Sequence, residues 1–484
     1  MQNRRDLYQA HRLMTQRVGL ALLQGEPDIA ESPMRRHAVG AFAGVMVALL
    51  VAAVFGIWGI LAPGGARGLD QPGKLIIEKE TGTKYIYDAN TRKMFPVANY
   101  ASAMLALNED KVDRRTVSRK SLAHFERGPM IGIVGAPDSL PDTKQLIRGP
   151  WSVCVREAAG TNGVRREFTA LAAGRDVGGR RLGENEAVVV KSGGQAWVIW
   201  KDHRMQLGGP AGGVAGVTAI TGGPDAIEVP PAWLNAMPAA GNFTAPDVPG
   251  RGTPHQGPGG RPARVGQIFK ADTGGQPNWY VLLADGLAQI SETQAQLLLR
   301  SPDTVAAYPG GQGVKEIPVD AASAQQAVGG HKPLIDPNLP PTLPKFATWD
   351  PSTPLCSVFP TGSSVAQLTL GGSLPPPSAA TLGAGSSGSA NAVDQVVLPP
   401  GGAALMSLVP GGGESGGQTS GSGSLSLVND QGVRFALPSA DVAKKLGYDP
   451  AKAAPVPSPV IQLIPSGPAL DPAKARNPVP TTGG

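Results

Sequence analysis

The stretch Ala38–Ala62, AVGAFAGVMVALLVAAVFGIWGILA, decides how the rest of the chain is read: it holds 25 residues and no charge. At 1.5 Å per residue such a helix spans roughly 37 Å, enough to cross a hydrocarbon core of about 30 Å with some tilt. A cleaved leader fits less well. The run is longer than a leader's apolar region, begins after 37 residues and lacks a small-x-small cleavage site. No face of the helix is polar, so a half-buried core helix is excluded as well.

The flanks set the expected orientation. Arg35, Arg36 and His37 abut the start, with Arg4, Arg5, Arg12 and Arg17 upstream, while Arg67 is the single nearby arginine on the far side. The positive-inside rule therefore places residues 1–37 in the cytoplasm and the rest outside, with Trp58 near the outer interface where an indole is favoured. The expected protein is a single-pass anchor of the plasma membrane, N-terminus in the cytoplasm, with a large extracytoplasmic body.

The cytoplasmic piece is patterned. Leu7, Ala10, Met14, Val18, Ala21 and Leu22 recur at helical spacing; Asn3 can cap the start and Gly25–Pro27 stop the helix. Such a helix suits either an anionic lipid surface or a membrane partner. The body, by contrast, is rich in glycine (65) and proline (47) and only 5% aromatic, which fits several small β-rich modules. A net charge of +6 without a basic stripe interleaved with aromatics argues against nucleic acid.

A weak repeat runs through the body, in Lys74–Leu107, Glu186–Leu207, Ala263–Leu299 and Ala403–Tyr448. A strand-like run meets a turn such as Asp285-Gly286 or Gln431-Gly432, then a short run and, in three cases, a helix. Those helices start after Asn99, Ser291 and Ser439, which suits N-capping. Ala239–Pro262 and Pro375–Ala390 read as loops or disorder, and Val460–Pro465 as an apolar strap on the core.

Chemistry is sparse. Gly68–Leu75, GLDQPGKL, matches G-x-x-x-x-G-K, but Leu75 stands where Ser or Thr would hold magnesium and Pro72 removes an N–H from the anion cradle. The residues after Lys74 are strand-like, whereas a phosphate loop needs a helix N-terminus there. Gly68, Gly73 and Lys74 are therefore read as a linker entering the first repeat. The six histidines (His11, His37, His124, His203, His255, His331) are scattered, with no paired metal motif. No catalytic residue, cofactor or metal is expected. Cys154 and Cys356 are the two cysteines. A nucleophilic Cys154 would need a base and an activating setting, whereas an even count outside the cytoplasm favours a disulfide between them.

The order of motifs resembles a known family. The N-terminal RRDLYQAHRLMTQRVGLALLQGEPDIAESPMRRHAVGAFAGVMVAL, then GAPDSLP, GPWSVC, LPPGGAALM and IPSGPALDP are similar to EccB, the bitopic core component of actinobacterial type VII (ESX) secretion systems. The Gly-rich insert Gly411–Ser424 and the last residues of the tail are least family-like. The resemblance implies assembly with EccC, EccD and EccE, association with a mycosin protease, self-association into a dimer or higher multimer, and an elongated periplasmic body of repeats around a disulfide-linked central domain. Some relatives carry an ATPase name, an activity that the defective GLDQPGKL does not support. A cell-wall-binding anchor is the other alternative.

The expected fold is thus α+β. A cytoplasmic helix and linker (1–37) precede the membrane helix (38–62) and the first repeat (63–120). The central domain (121–183) is interrupted by the second repeat with its linker (184–260) and the third repeat (261–334), and resumes at 335–400. The fourth repeat (401–450) and a Pro-rich tail partly packed on the core (451–484) complete it.

Overall fold

A computed structural model describes residues 4–24, 33–61, 68–107, 109, 112–159, 163–208, 226–272, 274–275, 277–310, 313–330, 333–377, 391–409 and 424–480. Asn3, Gly25–Pro27, His331, residues 378–390 and nearly all of the Gly-rich insert lie outside them. The chain divides into two units, Met1–Leu69 with Arg119–Ala123, and Asp70–Ser118 with His124–Gly484.

The first unit is helical. Helix α1 (Arg4–Gln24) keeps Leu7, Met14, Val18 and Leu22 exposed. Helix α2 (Pro33–Leu61) starts on a proline, whose missing N–H costs nothing in a first turn. Its segment His37–Ile57 is long and apolar enough to cross a membrane, and no part of that segment is buried by protein.

The second unit begins with β1 (Lys74–Glu78), β2 (Lys84–Asp88) and β3 (Lys93–Val97), an antiparallel meander, followed by α3 (Tyr100–Leu107) and β4 (Asp113–Val117). β4 returns parallel to β1, giving the order β3-β2-β1-β4. The crossover needs a helix because parallel neighbours cannot be joined by a hairpin. Asn99 starts that helix: its Oδ1 accepts the Ser102 N–H at 2.9 Å. A short helix α4 (Arg119–Leu122) follows in sequence.

Strands β5 (Trp151–Ala159), β6 (Arg165–Ala173) and β7 (Arg180–Arg181) open a different sheet that the chain leaves unfinished. The next stretch, β8 (Glu186–Ser192), β9 (Gln195–Trp200) and β10 (His203–Leu207), is again a meander, with β11 (Ile227–Glu228) parallel to β8. After α5 (Pro231–Asn235), β12 (Ala239–Phe243) lies parallel to β10. Next comes the hairpin β13 (Pro254–Gln256) and β14 (Pro262–Arg264). Ala239–Pro262, expected as loop or disorder, is mostly loop, but its start (Ala239–Phe243) and the residues of the β13–β14 hairpin are paired. Its Gly/Pro composition describes local preference, and the open edge of β10 overrides it.

A third meander comprises β15 (Ile268–Asp272), β16 (Pro277–Leu283) and β17 (Gly286–Ile290), with α6 (Glu292–Arg300), β18 (Ile317–Val319) parallel to β15, and α7 (Ala321–Gln326). Ser291 and Gln294 form a reciprocal capping box at the start of α6. The chain then returns to earlier sheets. β19 (Lys345–Phe346) joins β8, while β20 (Leu355–Phe359), β21 (Gln367–Leu370) and β22 (Gln395–Val397) complete the order β22-β6-β5-β20-β21-β7. Last come β23 (Ala403–Val409), β24 (Leu425–Asn429) and β25 (Arg434–Leu437), then α8 (Ala440–Lys445) capped by Ser439, β26 (Ala454–Pro457) parallel to β23, α9 (Ser458–Gln462) and α10 (Pro472–Ala475).

One strand order therefore recurs: β3-β2-β1-β4, β10-β9-β8-β11, β17-β16-β15-β18 and β25-β24-β23-β26. The third strand of each also gains a parallel neighbour. These are residues 126–128 beside Met94, β12 beside β10, residues 327–329 beside Leu287, and residues 465–467 beside Arg434.

Alternation within β23 and β24 explains the packing. Ala403, Leu405 and Leu427 face a core shared with Leu75, Ile86 and Val97 of the first sheet. Ala404, Met406 and Val428 face a core shared with the six-stranded sheet of β5 and β20. A sheet buried on both faces loses the polar-out pattern of a solvated strand. The tail seals the arrangement: Val460, Ile461, Leu463 and Ile464 are buried, as the apolar strap predicts. Its last residues pair antiparallel with residues 130–132, which also pair with the end of β3, Gly132 donating to Asn477 O at 3.1 Å and Val479 to Met130 O at 2.8 Å.

Candidate functional site

The two cysteines meet at the centre of the six-stranded sheet. β5 and β20 run antiparallel with Cys154 directly opposite Cys356, and the two are disulfide-bonded across a Cα–Cα distance of 4.0 Å. Both are fully buried. Period-two alternation sorts the neighbours. Ala170, Ala172, Val177 and Leu374 surround the disulfide on one face. Trp151, Val153, Val155 and Phe359 point to the other face, into the core that also holds Trp233. The indole of Trp233, on α5, donates to Val153 O at 3.1 Å, so a helix from the second meander is anchored to the strand that carries Cys154.

Charged side chains around this centre act as clasps. Arg156, next on the disulfide face of β5, donates to Pro375 O at 2.7 Å and Leu374 O at 3.5 Å, holding that segment over the cysteines. Burial alone pulls its guanidinium below the ordinary value. Arg166 pairs with Asp394 at 2.9 Å, and the second oxygen of Asp394 accepts the Thr169 N–H at 2.9 Å. Arg204 on β10 donates to Asn235 on α5 at 2.6 Å, and Asn235 donates to Asn391 at 3.0 Å. Sequence reading passed over Arg156, Arg204 and Trp233. An apolar helix rich in proline just before β12 was their one available signal.

The other sequence candidates do not converge. Lys74 is the first residue of β1, opposite Asp113, and Gly73 precedes it at φ +79°. Gly68, at φ +71°, lies in the helical unit. A strand, not a helix, follows Gly73, so no ring of helix N–H groups stands where a phosphate would sit. Arg35 and Arg36 lie in the first turn of α2 and Trp58 near its end. His203 contacts Asp202 at 3.2 Å, a hydrogen bond that holds the Asp202 carboxyl below the usual carboxylate range. Among the described residues no three His, Cys, Asp or Glu side chains gather as a metal ion would require. The arrangement is that of a framework built to hold surfaces in register.

Comparison with known proteins places the chain in a family. The family profile described as "Type VII secretion system ESX-1, transport TM domain B" matches residues 2–480. The chain belongs to this family, the EccB family. It is similar to the ESX-3 secretion system ATPase EccB3 of Mycobacterium tuberculosis (strain H37Rv), at 27% identity covering 96% of this chain and 87% of that protein. The ESX-2 secretion system ATPase EccB2 of the same strain is 28% identical, over 99% and 96% of the two chains. Among solved structures, a chain of an intact ESX-5 inner membrane complex matches with TM-score 0.62 at 23% identity, covering 100% of this chain and 96% of that one. The EccB3 dimer from the ESX-3 core complex matches with TM-score 0.60 at 24% identity, covering 83% and 99%. Both likenesses establish the fold of this EccB-family chain.

Proposed function

We propose that this chain is a structural, non-catalytic core subunit of a type VII (ESX) inner-membrane secretion complex. Family membership over nearly the whole chain carries the reading. In it, α2 spans the plasma membrane with residues 1–37 in the cytoplasm, and the remainder forms a periplasmic body. The body consists of four copies of one repeat around the disulfide-linked sheet. The recurrent strand order and the added parallel segment in each copy support that count and extend the first and fourth repeats beyond their expected boundaries. Its partners are EccC, EccD, EccE and a mycosin protease, together with further copies of itself, as the EccB3 dimer suggests for a relative.

The work of such a subunit is contact, and its sheets supply edges and helix faces to neighbours. The ATPase name of its relatives is the alternative. Two experiments separate the readings. Gentle detergent extraction and native purification should recover the chain with the other membrane components; recovery as a lone monomer would refute the scaffold. Purified protein should give no ATP turnover that Lys74→Ala abolishes; turnover lost in that variant would establish the hydrolase instead.

A further inference from the structure

A groove follows β18, the terminal strand of the β17-β16-β15-β18 sheet, and is walled on its far side by the β13–β14 hairpin. It has two adjoining lobes of about 600 and 350 Å³ that share Pro262, Ala263, Gln267 and Ile317. The lining mixes polar and apolar surface, and the rings of Pro258, Pro262 and Pro318 with the bare backbone of Gly257 and Gly259 line the walls. Proline rings and glycines leave room for a backbone to approach closely and have little rotamer entropy to lose on binding.

The charges are not balanced. Arg261 and Lys315, both exposed, and Arg264 contribute to the lining. Arg264 and Gln267 each commit one donor to the protein, to Gly252 O at 2.6 Å and Ala307 O at 3.1 Å, which fixes their position. The acid of the lining, Asp320, is committed to the Ser323 N–H at the start of α7, at 2.8 Å. The groove therefore offers the cations of Arg261, Arg264 and Lys315 against the single carboxylate of Asp320 in its lining, a net complement to an anionic chain.

Two features choose between anionic chains. A glycan would want an open aromatic face, but Phe269 is only 5% exposed, and the Tyr308 hydroxyl accepts the Ile268 N–H at 2.9 Å. A peptide suits a strand edge. Pro318, however, deprives β18 of one N–H, so sheet extension alone cannot hold it and charge must supply the rest. We propose that this groove binds an extended, carboxylate-rich peptide segment of a protein partner, with Arg261 and Lys315 pairing its carboxylates.

The test uses the full chain in detergent and fluorescein-labelled hexaglutamate, read by anisotropy. Saturable binding should weaken as salt rises, because the pairs are solvent-exposed. Arg261→Glu with Lys315→Glu should weaken it at least tenfold, and the milder Arg261→Gln with Lys315→Gln several-fold. Arg114→Glu with Arg115→Glu, on the remote strand β4, should leave it within twofold, all variants keeping the wild-type melting temperature. The proposal is overturned by absent binding, by groove variants that bind like wild type, by equal loss in the β4 variant, or by a hyaluronan hexasaccharide that outcompetes the peptide.

Discussion

Removing the disulfide measures how far the central sheet depends on its covalent clasp. Cys154 and Cys356 are 202 residues apart in sequence. Closing a loop that long lowers the entropy of the unfolded chain by the equivalent of about 5 kcal/mol in the chain-entropy model, and native disulfides more often contribute about 2–5 kcal/mol. In the folded state the clasp adds little geometry, since β5 and β20 are already paired from Trp151↔Phe359 to Val155↔Leu355. Cys154→Ala with Cys356→Ala should therefore preserve the native fold while lowering its stability by about 3–5 kcal/mol. At roughly 1.2 °C per kcal/mol for a unit of this size, the melting temperature should fall by about 4–6 °C. The assay is a thermal scan of detergent-purified protein, with tryptophan emission at the start confirming native packing of Trp151 and Trp233. Wild type treated with a thiol reductant after mild unfolding should shift in the same direction. An unchanged melting temperature in the double variant would refute the reasoning, as would an unreduced peptide map that lacks the cross-linked pair.

Other perturbations test the packing. Trp233→Ala should cost about 3–5 kcal/mol, and Trp233→Phe less, because phenylalanine keeps one ring in the fully buried site and loses the fused second ring and one hydrogen bond; denaturant midpoints give the ratio. Gly128→Ala and Gly467→Ala should each destabilise by about 1–3 kcal/mol, since the added Cβ would stand 2.4 Å from the Phe95 ring and 2.5 Å from the Phe435 ring. Ser291→Ala removes a reciprocal cap and should cost about 1 kcal/mol, with faster amide exchange confined to the first turn of α6. Asp202 has a folded-state pKa below its unfolded one, so its contribution is present above about pH 4 and lost as the pH falls through the folded value. Asp202→Asn should therefore flatten the acid limb of melting temperature against pH.

Local signals carried much of the framework. The uncharged run at Ala38 marked α2, and Asn99, Ser291 and Ser439 marked three helix starts because a cap is a property of four consecutive residues. The cysteine pair followed from compartment and parity. Long-range partners were another matter. The sequence around Ala239 reads as a loop because nothing within it encodes the β10 edge that it joins. Arg156 resembles any surface arginine until residues 374–375, far along the chain, are laid across the disulfide. The groove beside β18 is assembled from three separate stretches of chain, none with a motif of its own.

The antiparallel pairing of Ile131 with Pro478 has a consequence for how the protein comes into being. Synthesis delivers residues 130–132 well over three hundred residues before their partners at 477–479. Until then Met130 O and Gly132 N lack the partners they have in the finished fold, an invitation to wrong pairing. Residues 477–479 thus act as a late-arriving seal, and a copy truncated before them would leave that edge open. Removal of residues 477–484 should then lower the melting temperature and raise aggregation of the detergent-purified protein, because Met130 O and Gly132 N lose their partners.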